Sequence, residues 1–156
     1  MKYRRLSDSE LQLLEKKFVN FLVANTITGA DWANIKKDKP EQADRLLDIF
    51  SDMVFESSLK NIEYLKFRAV KDIKIFHCGK ETITLMGLCA DEKTDIDFTQ
   101  EIDIKQVMLN TEGLSIYRNE KKYTPNREQE LFKMMETGCR ISDGYLFNIL
   151  EKLHQN

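Results

Sequence analysis

Residues 73–92 read IKIFHCGKETITLMGLCADE, and the choice between a reactive site and a plain hairpin here decides the fold class. A His stands beside a Cys, a second Cys follows eleven residues on, and acidic residues come next. Ile73, Ile75 and His77 alternate with Lys74, Phe76 and Cys78; Thr82, Thr84 and Met86 alternate with Ile83, Leu85 and Gly87. Successive side chains of a strand point to opposite faces, so this alternation on both sides of Gly79-Lys80 is the pattern of a β-hairpin. Gly79 in the first place suits a two-residue type II′ turn. That turn puts Cys78 opposite Glu81 and Cys89 opposite Val70, and separates the two thiols by about eight strand positions, on the order of 26 Å. Two thiolates of one zinc site must each reach to about 2.3 Å from the metal. His77 and Cys78, as strand neighbours, face opposite ways, whereas a Cys–His pair needs hydrogen-bond contact. The stretch is therefore read as a hairpin, with its Cys residues as small, half-buried apolar groups.

Working outward, the chain of 156 residues is the size of one domain and can bury a core without disulfides or metals. Its 42% apolar and 32% charged residues describe a globular protein, and the net charge of −2 gives no overall pull toward nucleic acid or anionic membranes. The start, MKYRRLSDSE, turns polar where a signal peptide needs an apolar core. No apolar run approaches the length that spans a bilayer. Cys78, Cys89 and Cys139 are odd in number and scattered, which is no disulfide framework. A cytoplasmic location is the expectation.

Before the hairpin the pattern is helical. Ser7 and Glu10 form a capping box ahead of Leu11, Leu14, Phe18, Phe21 and Leu22, which predicts a helix over residues 7–24. A short helix over 31–37 carries Trp32 as a core anchor. Pro40 suits the first position of a helix running to residue 67, roughly 40 Å long. Its broad apolar face (Phe50, Met53, Val54 and Leu65 among others) calls for several neighbours or a second copy of the chain. After the hairpin, residues 98–112 fit either a helix or a strand. GLSIYRNEKKYT (residues 113–124) reads as a strand pair turning around 118–121. Thr124-Pro125 then opens a helix ended by Gly138, and Ser142 can cap a last helix to residue 153.

Four groups could carry chemistry. His77, Cys78 and Gly79, with Ser142 and Asp143, occupy turns, where binding residues gather. Residues 91–103 hold six acids against one Lys, yet no frame places Gly sixth and Glu twelfth as an EF-hand loop needs. Asp95, Asp97, Glu101 and Asp103 could still hold Mg²⁺ in a metal-dependent hydrolase; a solvated loop is the commoner meaning of such a run. Arg118, Lys121, Lys122 and Tyr123 combine basic and aromatic groups as single-stranded RNA surfaces do. The last two helices have helix-turn-helix proportions, but four bases against five acids in residues 126–156 suit an ordinary helical hairpin better than a DNA reader. The phosphate-loop, dinucleotide, zinc-protease and hydrolase-elbow motifs are all missing from the sequence.

Six blocks carry a family likeness: MKYRRLSDSEL, FLVANTITGADW, IFSDMVFE, IFHCG, EGLSIYR and ISDGYLFN. Across almost the whole chain they resemble a family of short bacterial proteins known as a domain of unknown function. The resemblance implies no activity, cofactor or catalytic residue, and directs attention to IFHCG and ISDG.

Together these readings predict a single α+β domain over residues 1–156. Residues 7–67 form its helical part, 70–123 its mainly β part and 125–153 a helical hairpin. N-terminal helices and that hairpin are expected to pack on a small central antiparallel sheet. The leading functional expectation is a non-catalytic protein-binding or adaptor domain with no cofactor. It would bind a protein partner or a second copy of itself, with nucleic acid disfavoured and no membrane. The alternatives are a hydrolase using the acids of residues 91–103 and an RNA-binding protein using the 118–123 hairpin.

Overall fold

A computed structural model describes residues 1–155. The chain divides into two compact units, Met1–Lys60 and the part from Asn61 onward.

The first unit is helical: α1 (Asp8–Leu13), α2 (Glu15–Ala24), α3 (Gly29–Asp38) and α4 (Pro40–Lys60). The Ser7–Glu10 capping box is present with both of its hydrogen bonds. The helix expected over 7–24 is two helices, because Leu14 leaves helical geometry at φ −105°, ψ 16°. A second box, Thr28 with Asp31, opens α3. Both boxes satisfy N–H groups that a first turn leaves without partners. Leu6, Phe21, Leu22 and Phe50 form the core, and Trp32 packs edge-on against Phe18 at 5.1 Å. Ser51 is fully buried at its centre; its hydroxyl donates to Leu47 O at 2.7 Å and accepts from Leu6 N at 3.0 Å. That pair ties the entry segment to α4.

The expected helix to residue 67 ends at Lys60 instead. Tyr64–Ala69 is a strand, β1, followed by β2 (Asp72–Cys78), β3 (Thr82–Ala90), α5 (Ile104–Leu109), β4 (Leu114–Lys122), α6 (Arg127–Glu136), β5 (Arg140–Ser142) and α7 (Tyr145–Gln155). The five strands form one antiparallel sheet in the order β4-β3-β2-β1-β5. β1 is flanked on both sides, and this pairing outweighs the helical spacing of its apolar residues.

The hairpin stands, with a different turn. Cys78 pairs with Ile83, not Glu81, and Cys89 with Asp72, not Val70. The connection takes residues 79–81. A shift of two residues keeps every side chain on its expected face. The predicted strand pair around 118–121 is one continuous strand, β4, lying along all of β3. α6 and α7 are joined through β5, whose Arg140, Ile141 and Ser142 pair with Lys66, Leu65 and Tyr64, so the link is a strand of the sheet where a bare turn was expected. Ser142 ends that strand, and Asp143 makes the cap bond, accepting from Tyr145 N at 3.0 Å.

α7 covers one sheet face, where Leu146, Phe147 and Leu150 pack with Ile73, Ile75, Met86, Leu88 and Phe98. α6 lies against the other. Its Glu130 pairs with Lys121 of β4 at 2.6 Å, and Gly138, at φ +119° beyond its end, stands beside the Phe67 ring.

Candidate functional site

The His77–Gly79 turn is tied down from a distance. The Arg127 guanidinium, at the start of α6, donates to Ile62 O at 2.5 Å, Cys78 O at 3.2 Å and Gly79 O at 3.1 Å. The Tyr123 hydroxyl donates to the same Gly79 carbonyl at 2.7 Å. His77 makes tilted ring contacts with Tyr64 (5.0 Å) and Phe147 (5.8 Å), which also touch each other, on the α7 face. Cys78 is buried near Arg127, and burial pushes its thiol up to about 12. A thiol so poised supplies no thiolate nucleophile at neutral pH. The carbonyls of the turn are thus held by side chains from later in the chain.

This makes thiol reactivity a direct check. Cys78 and Cys139 are buried and Cys89 is exposed. At pH 8 a thiol of pKa near 12 is ionised to roughly one part in ten thousand. One equivalent of a thiol reagent is expected to react promptly at Cys89, with Cys78 and Cys139 reacting only on unfolding. Prompt labelling of Cys78 in the native protein, located by peptide mass mapping, would contradict this geometry.

Three acids of the acidic run accept backbone bonds within their own segment. Asp91 accepts from Lys93 N, Asp97 from Thr99 N and Asp103 from Lys105 N, the last starting α5. Thr99 bonds hold the Asp97 carboxyl below its usual range. Asp95 and Glu101 stand in the same segment. Among the described residues no three His, Cys, Asp or Glu side chains come together as metal ligands do.

The basic and aromatic cluster is partly neutralised. Arg118 pairs with Glu120 at 2.8 Å and Lys121 with Glu130 at 2.6 Å; Lys122 is exposed, and Tyr123 points its hydroxyl at Gly79.

Ser142 and Asp143 are different, because they line a cavity of about 160 Å³ on the α7 face of the sheet. Ile73 and Ile75 belong to it, with Phe98, Ile102, Ile104 and Leu146, and β1 contributes Lys66 and Arg68. Sequence reading missed Lys66 and Arg68 because it placed Lys66 at the end of a helix and Arg68 just beyond it; a strand puts residues two apart on one face.

A second concavity, of about 580 Å³, lies wholly in the first unit, between α2 and α4. Phe21, Ala24, Phe50 and Val54 give it an apolar lining, Met53 stands half exposed at its edge, and Lys17, Asn20, Asn25, Ser57 and Ser58 add polar groups. Val23 on α2 and Ile49 on α4 are also exposed.

Fold and site together define an α+β protein with two concavities, one in each unit. The chain belongs to the family of unknown function DUF6495, whose model matches residues 1–155. No curated protein and no solved structure matches it significantly. No helix among the described residues is long and apolar enough to cross a membrane.

Proposed function

We propose that this protein is a non-catalytic cytosolic binding module that receives the apolar face of an amphipathic helix from another protein in the groove between α2 and α4. The observation that carries this reading is the apolar lining of that groove, open over about 580 Å³ and edged by exposed Met53. Helix-in-groove recognition needs an elongated hydrophobic slot between two fixed helices, with adaptable side chains at its edge. Lys17, Asn20, Ser57 and Ser58 supply donors for the polar flank of such a helix, and Lys17 favours an acidic residue on it. Three free cysteines suit a reducing compartment.

The test compares wild type with Met53→Glu, a change at a half-exposed position that places a charge at the groove's edge. Both are used to capture partners from nuclease-treated cytosol, and the complexes are then reconstituted from purified components. A defined one-to-one protein complex is expected, with Met53→Glu weakening it at least tenfold while the circular dichroism stays unchanged. A partner held equally by both proteins would remove the groove from the reading. Capture abolished by nuclease would make nucleic acid the ligand.

A further inference from the structure

The cavity beneath α7 is a separate site in a separate unit, and its chemistry is specific. β1 places Lys66 and Arg68 on the same sheet face, two residues and roughly 7 Å apart. Neither side chain has a hydrogen bond or ion pair among the described residues. Lys66 is half-buried beside an apolar floor, a costly place for a cation that makes no direct ion pair. The Gln100 side-chain amide reaches the same cavity and also has no hydrogen-bond partner.

We propose that this cavity binds a small monocarboxylate with an apolar body, its carboxylate held by Lys66 and Arg68 and its hydrocarbon part on Ile73, Ile75 and Phe98. The volume sets the size: a cavity near 150 Å³ takes a ligand of about benzene's bulk. The rim sets the charge. Asp143 lines the cavity, and Glu101 and Asp103 flank Arg68. These three carboxylates near the two cations disfavour a phosphate or another polyanion more strongly than a ligand with one negative charge. Two of the three, Asp103 and Asp143, already accept backbone N–H bonds from Lys105 and Tyr145. Lys66 and Arg68 are the groups left to recognise the ligand.

The probes are isovalerate and benzoate, each against its neutral amide, read by methyl NMR and titration on the full chain. The expected result is movement of the Ile73 and Ile75 methyl resonances with either carboxylate, and binding at least tenfold weaker for the amides. Arg68→Gln, at an exposed position, keeps the fold and is expected to weaken carboxylate binding at least fivefold; Lys66→Met is expected to weaken it further. Equal binding of acid and amide overturns the assignment of the charge. No movement of Ile73 or Ile75 at tens of millimolar carboxylate overturns the site. Met53→Glu is expected to leave these titrations unchanged, so failure here is distinct from failure of the groove.

Discussion

Arg127→Ala is expected to destabilise the second unit by about 3 kcal/mol. The Arg127 guanidinium answers three carbonyls from two separate chain segments, Ile62 on one and Cys78 with Gly79 on the other. Alanine leaves all three without that donor beside a largely covered side chain, itself only 14% exposed. Each buried acceptor left unmade costs about 1–3 kcal/mol, and water entering the gap recovers part of this. Arg127→Lys is expected to restore less than half, because one ammonium on a flexible stem cannot span three acceptors as a rigid fork does. Denaturant unfolding of the three proteins measures the effect. Native thiol labelling gives a second reading, since loosening the turn exposes Cys78. A change below about 0.5 kcal/mol would place Arg127 with ordinary surface charges and sink the argument.

Gly87→Ala is expected to cost about 2–3 kcal/mol, for a reason of space. A Cβ built at Gly87 lies 2.0 Å from Cζ of Tyr117, its cross-strand partner on β4. The ring covers the glycine, and its hydroxyl donates to Asp72 at 2.5 Å. Lys74 bonds the same carboxylate and stands 5.9 Å from the ring centre. Burial first, and the Asp72 bond second, push the Tyr117 hydroxyl up to about 12. An added methyl must displace the ring and with it the Asp72–Lys74–Tyr117 group. The decisive comparison is a double-mutant cycle. With Tyr117→Ala in place, Gly87→Ala is expected to be neutral or mildly stabilising, since glycine otherwise weakens a strand. Equal cost in both backgrounds would show that the ring is not the obstacle.

The hairpin was legible because alternation is local: Ile73, Ile75 and Met86 announce their face from sequence alone. Its register was not, because the groups holding the turn, Tyr123 and Arg127, lie more than forty residues further on. β1 was misread since Leu65 and Phe67 extend the apolar spacing of α4, and only pairing with β2 and β5 makes them a strand. β5 has three residues, too few for any periodicity. The Ser7–Glu10 capping box, wholly local, was read directly, whereas the Thr28–Asp31 box was passed over as a break in the helical pattern. The turn residues His77 to Gly79 were named for their place at a turn, and the side chains that hold that turn, Tyr123 and Arg127, were not. Ser142 and Asp143 were named alone, without the two β1 cations across the cavity, because no sequence spacing joins residue 66 to residue 142.

The pairing of β1 with β5 has a consequence in time. A ribosome adding 5–20 residues per second takes on the order of 4–15 s to pass from Lys66 to Arg140. Through that interval the four helices of the first unit are already synthesised, while the outer edge of β1 has no strand to meet. An open edge is a template for wrong pairing with any extended segment nearby. The nascent chain is therefore most exposed to misassembly late in its synthesis, and a message truncated before codon 140 would release a protein fixed in that condition.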